Sequence, residues 1–105
     1  MEKSYLVMAE FSIVPVGTSV SLYVAAAVKA FRDVEGLDFE VTPMGTVLAA
    51  ENLNTIFEAV KRAHEAVVAL GAKRVASTLR IDDRRDKPRT TRDKVEAVRN
   101  RLEEP

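Results

Sequence analysis

There is no cysteine among the 105 residues, so a disulfide framework, a thiolate metal site and a cysteine nucleophile are excluded together. Tryptophan is absent as well, and the aromatics amount to four Phe and two Tyr, a thin supply for any surface that recognises bases by stacking. Neither charge sign is in excess: sixteen Lys plus Arg offset sixteen Asp plus Glu. No global field therefore draws the chain onto nucleic acid or an anionic lipid surface, although a local basic patch is compatible with this balance. The longest unbroken apolar run, Leu22 to Val28, has seven residues, far below the ~20 that span a bilayer. The apolar stretch that follows Met1-Glu2-Lys3-Ser4 ends after Ala9 and is shorter than the ~7–15-residue core of a signal peptide. The expectation is a soluble cytoplasmic protein with no membrane and no nucleic-acid partner.

The chain is 47% hydrophobic and 30% charged, the balance of a globular domain, and one domain over residues 1–105 is expected. A chain of this length buries roughly two-thirds of its unfolded surface, so a core is available without metal or disulfide. Tyr5, Val7, Ala9, Phe11 and Ile13 alternate with Leu6, Met8, Glu10 and Ser12, and that period of two predicts a strand over 5–14. Pro15-Val16-Gly17-Thr18 breaks it. Ser19 or Ser21 caps a helix over about 20–35, with Val24, Ala27, Val28, Phe31 and Val34 on one stripe and Gly36 beyond its end.

Asp38–Thr42 and Thr46–Ala50 flank Pro43-Met44-Gly45, the pattern of a hairpin. After Asn52 the strongest stripe in the sequence, Leu53, Ile56, Phe57, Val60, Ala63, Val67 and Leu70, runs to Gly71. Residues 74–82 alternate again, 83–89 form a charged loop, and Thr90 with Asp93 resembles a capping box opening a thinly apolar helix with Val95, Val98 and Leu102. The order predicts an α+β, ferredoxin-like βαββαβ sandwich with an additional C-terminal helix. The Pro15-to-Ser19 loop and the Pro43-to-Gly45 turn then share one end of the sheet, and the charged loop occupies the other.

With Tyr5, Val7, Phe11, Ile13, Phe39, Val41, Val75, Leu79 and Ile81 under the helices, the other sheet face collects Leu6, Met8, Glu10, Ser12, Glu40, Thr42, Thr78 and Arg80. A mixed face of this kind stays wet, meets a second sheet, or lines a pocket between subunits. Glu10, a carboxylate in mid-strand, needs a partner if that face is covered. Two readings follow: a cross-strand ion pair with Arg80, or a clamp for an amino group on a flat heterocycle whose ring meets Met8 or Met44.

Other constellations are weaker. The aromatics lie in the core register or on helices, the wrong placement for RNA stacking. His64 stands alone at the margin of its stripe, a poor metal site. Asp82, Asp83 and Asp86 are interleaved with Arg84, Arg85 and Lys87, which opposes cation binding and suits a solvated loop or an intersubunit salt-bridge network. Gly17, Thr18 and Ser19 suit helix capping better than anion binding. No nucleophile elbow, phosphate loop or Ser/His/Asp order is present, so no catalysis and no cofactor are expected.

The segments Phe11–Gly17, Tyr23–Lys29, Thr42–Thr46, Ala59–Ala66 and Ile81–Lys87, in this order and at these spacings, resemble the YkoF-like thiamine-binding protein family. The resemblance spans nearly the whole chain. It implies a non-enzymatic protein, commonly a dimer of dimers, that binds thiamine or its hydroxymethylpyrimidine part. Thr42, Met44, Gly45 and Thr46 match the family's turn motif, while Glu10, Ser12 and Arg80 join the ligand set on strand register. An aminopyrimidine would use such hydroxyl and carboxylate partners, and a thiazolium cation tolerates a nearby carboxylate. The expected molecule is a homodimer or homotetramer with a small-molecule ligand; the alternative is an oligomeric regulatory or scaffold module without a vitamin, in which Glu10 and Arg80 serve assembly only.

Overall fold

The computed structural model describes residues 4–15 and 20–105. Its elements are β1 (Val7–Pro15), α1 (Val20–Phe31), β2 (Asp38–Thr42), β3 (Gly45–Ala50), α2 (Leu53–Ala69), β4 (Val75–Asp83) and α3 (Asp93–Leu102). The strands form one antiparallel sheet in the order β2-β3-β1-β4, which is the ferredoxin-like arrangement with a further helix at the C-terminal end.

The alternation in β1 is realised as a division of faces. Val7, Ala9, Phe11 and Ile13 are buried beneath the helices, beside Leu48 and Ala50 of β3. From above, α2 lowers Ile56, Ala59, Ala63 and Val67 onto them and α1 adds Ala27 and Phe31, each set at the 3-4 spacing that puts side chains on one helical face. Phe31 meets Phe39 of β2 edge to face, ring centroids 5.4 Å apart. The opposite sheet face bears Glu10, Ser12, Glu40, Thr42, Thr78 and Arg80, as the register requires.

Several boundaries differ from the periodicity: β1 runs on through Pro15, which pairs with Val75, and β3 starts at Gly45 rather than Thr46. The first helix stops at Phe31 rather than near residue 35: Val34 donates to the Phe31 carbonyl and Leu37 to that of Val34, so tight turns replace the helix while Val34 and Leu37 still pack on the core. Gly36, at φ +82°, takes the left-handed turn that leads into β2. The first strand begins at Val7, because Tyr5 pairs instead with Arg89, its N–H donating to the Arg89 carbonyl at 2.8 Å and its carbonyl accepting from the Arg89 N–H at 3.0 Å. The last strand is shifted by one residue, to Val75–Asp83. The loop reading at Gly17, Thr18 and Ser19, capping by Ser19 included, lies outside the described residues, whereas Ser21, the other candidate cap, falls inside α1 and does not cap it.

Arg89 anchors the return of the chain. Its guanidinium donates to the Leu6 and Asp82 carbonyls, each at 3.2 Å, and pairs with the Asp82 carboxylate at 2.8 Å. Thr90 then donates through its N–H and its hydroxyl to the Asp93 carboxylate, at 2.9 and 2.7 Å, the reciprocal half of a capping box. Beyond that point α3 packs against no other described helix or strand and has no buried residue.

Two truncations separate packing from local structure. Ile56→Ala should cost about 2–5 kcal/mol, because Ile56 is fully buried and its cavity cannot relax completely. Asn52→Ala should cost only about 1 kcal/mol, since it removes the single side-chain cap on the Thr55 N–H at 2.9 Å. Urea denaturation of both variants measures the difference, and equal losses would contradict this placement of the core.

Candidate functional site

At the β1 C-terminal end, α1 and the sheet separate and leave a cavity of about 320 Å³. Its floor is Phe11 and Ile13 of β1 with Thr46 of β3, its roof Val24, Ala27, Val28 and Phe31 of α1, and its rim the β2–β3 turn. The gap follows from side-chain size: α1 places alanine at position 27, the residue it buries over the sheet at this end, and an alanine cannot fill the space beside two phenylalanines. A volume near 320 Å³ lies at the small end of the ~300–1,000 Å³ typical of ligand pockets. None of the described lining side chains carries a charge.

The turn that forms the rim is built by its own sequence. The Thr42 hydroxyl donates to the Gly45 carbonyl at 2.7 Å and accepts from the Met44 N–H at 3.3 Å, which closes a two-residue loop between paired Thr42 and Gly45. Gly45 is needed for close approach: a Cβ there would stand 3.1 Å from the Phe11 carbonyl oxygen. Met44, 83% exposed, and Val41, 53% exposed, stand at the mouth. Thr46 is the opposite case, the one buried polar residue in the described chain, at 6% exposure.

Five of the seven residues expected at a site therefore meet here: Ser12, Thr42, Met44, Gly45 and Thr46 all line the cavity. Glu10 and Arg80 do not. They are direct cross-strand partners on the helix-free face, yet neither takes part in an ion pair among the described residues. The Glu10 side chain runs beside Gly45 on that other face, with Cγ 3.7 Å from where a Cβ would sit. Missing from the expectation were the apolar residues of the roof and floor, whose spacing reads simply as core.

The remaining candidates find structural partners. His64 bonds through Nε2 to the Ser77 hydroxyl at 2.6 Å and sets its ring 6.3 Å from that of Phe11, tying α2 to β4 behind the cavity. The three loop aspartates pair within the chain, Asp82 with Arg89, Asp83 with Arg85 and Asp86 with Arg84. No group of metal-ligating side chains is assembled among the described residues.

Fold and cavity together define a small α+β protein with an open-mouthed pocket whose described lining is uncharged. The chain belongs to the thiamine-binding protein family, whose model matches residues 9–99. It is 49% identical over 100 residues to a UPF0045 protein of Methanothermobacter thermautotrophicus, covering 92% of this chain and 100% of that one. Among solved structures, a hypothetical protein of Methanocaldococcus jannaschii superposes with a TM-score of 0.78 at 42% identity, covering 88% of this chain and 94% of that one. A Thermotoga maritima protein provisionally described as acting in thiamine biosynthesis or salvage shares the fold, with a TM-score of 0.70 at 23% identity over 88% of this chain and 97% of that one.

Because Gly45 lies flush against β1, Gly45→Ala should push the turn off the Phe11 carbonyl and open the rim. Its thermal midpoint should fall by several degrees, roughly 1–2 kcal/mol for a strained contact of this kind, with amide shifts concentrated at Phe11, Ser12 and Thr46. An unchanged midpoint with unshifted amides would show that the turn does not depend on close approach.

Proposed function

We propose that this protein binds thiamine or its hydroxymethylpyrimidine moiety without transforming it, needs no cofactor, and works in the cytoplasm as a homodimer or homotetramer. One observation carries the reading: the hydroxyl-bearing turn residues that match the family's motif form one wall of a neutral, mostly apolar cavity of about 320 Å³. A flat aminopyrimidine suits such a space, with methyl groups of α1 against its ring and the hydroxyl of Thr46 available to one of its nitrogens. The cationic thiazolium is disfavoured in an enclosure without a counter-charge, so it belongs at the mouth beside Met44, where water reaches it. Methyls and hydroxyls rather than titratable groups line the pocket, which supports binding over proton transfer.

Under this reading the Thr46 side chain and the Thr42–Gly45 turn with Met44 contact the ligand, while Ser12 borders the cavity from a strand position whose side chain belongs to the helix-free face. Glu10 and Arg80 serve the helix-free face, where a second copy supplies each with an opposite charge. Self-association is further supported by α3, whose Val95, Val98 and Leu102 are exposed and uncovered by their own chain. The second reading, an assembly module without a vitamin, draws on the same two features.

Calorimetric titration of ligand-stripped protein with thiamine, hydroxymethylpyrimidine and thiamine diphosphate tests the proposal. Thiamine and hydroxymethylpyrimidine should both saturate with one site per chain, and Thr46→Val should weaken each about tenfold, the worth of one buried hydrogen bond. Glu10→Gln should leave affinity intact and shift the sedimentation profile. Absence of saturable heat from folded, ligand-free protein would overturn the vitamin reading in favour of the assembly module.

A further inference from the structure

The charge of this neutral chain is unevenly placed: residues 84–94 contain six Lys or Arg against two Asp. The fold turns that segment into a groove of about 470 Å³, at the end of the sheet opposite the ligand cavity. Its walls are the end of β4, the following loop and the first turn of α3, which contribute Arg84, Lys87, Arg89 and Lys94 together with Asp82 and Asp93.

The two carboxylates are already engaged. Asp82 accepts from Arg89 at 2.8 Å, and Asp93 accepts from the Thr90 N–H and hydroxyl. Arg84 pairs with Asp86 at 3.0 Å. Lys87 and Lys94, which come from different elements, take part in no ion pair among the described residues. Arg89, with a side chain only 12% exposed, lines the same groove, held by two backbone carbonyls and by its pair with Asp82. The Asp93 carboxyl registers this field: it is held below its usual range first by Thr90, and further by Lys87 and Arg89.

We propose that the groove is a binding site for a small phosphate-type anion, inorganic phosphate or a phosphate monoester, bridged between Lys87 and Lys94 over Arg89. Two ammonium groups without an ion-pair partner among the described residues that line one groove can give charge-assisted hydrogen bonds to several oxygens of one such anion. The site is separate from the vitamin cavity, since the nine residues of β1 put about 25–30 Å between the two ends of the sheet. Occupancy has a mechanical consequence, because the anion would tie the 84–89 loop to α3, the helix that packs against no other described helix or strand.

The test follows backbone amide resonances during titration with inorganic phosphate, and separately with phenyl phosphate, at constant ionic strength set with chloride. Saturable shifts confined to residues 82–97, with slower amide exchange along α3, are expected for at least one of the two ligands. Phosphate alone would identify the free ion, and phenyl phosphate alone a monoester. The Lys87→Gln/Lys94→Gln variant, altered only at exposed positions, should lose about tenfold or more in affinity while thiamine titrates unchanged. Shifts that fail to saturate, that chloride reproduces, or that persist undiminished in the variant would overturn the site without touching the vitamin reading.

Discussion

The structure depends on the burial of one face of β1. Val7, Ala9, Phe11 and Ile13 lose nearly all their exposure, and β1, paired on both edges, meets both helices and shares the core beneath α2 with Leu48 and Ala50 of β3. Each fully buried side chain of this size contributes roughly 1.5–3 kcal/mol, and a slip of one residue would exchange the buried set for Met8, Glu10, Ser12 and Val14. Phe11 is the centre of that set. Its backbone lies opposite Thr46 and Leu79, its carbonyl receives Gly45, and its ring is part of the cavity floor. Register, turn and pocket are therefore one constraint seen three ways.

What could be read in advance follows from where periodicity has physical meaning. The period of two in β1 and the 3-4 stripe of α2 assign faces, and topology follows once those faces are satisfied. The hairpin was legible because Pro43, Met44 and Gly45 interrupt two β-compatible stretches, and the structure explains the flanking threonines: Thr42 closes the turn with its hydroxyl, and Thr46 is buried beside it. The exit of α1 was not legible, because Val34 and Leu37 keep packing on the core after the helix has ended. The cavity was only half legible. Its polar rim carries recognisable residue types, whereas Ala27, Val28 and Phe31 look the same in sequence whether they fill a space or surround one. Glu10 and Arg80 show the limit from the other side: strand register placed them opposite each other correctly, but on the face away from the cavity.

The sheet thus separates two chemistries by its length. One end offers an uncharged enclosure suited to the ring of a heterocycle, in keeping with membership of the thiamine-binding family. At the other end the chain returns through Arg89, gathers its positive charge and launches a helix with an uncovered apolar stripe. Between them lies the helix-free face with Glu10 and Arg80 in register and in no ion pair among the described residues.

The central claim is that the ligand's pyrimidine lies between α1 and the sheet. Isotope-filtered NOE measurements on labelled protein saturated with hydroxymethylpyrimidine test this most directly. The account predicts contacts from the ligand's methyl and ring protons to Val24, Val28 and Phe31 of α1 and to Thr46 of β3. Contacts instead to Met8, Val47 or Thr78 on the helix-free face would place the ligand between subunits and contradict it.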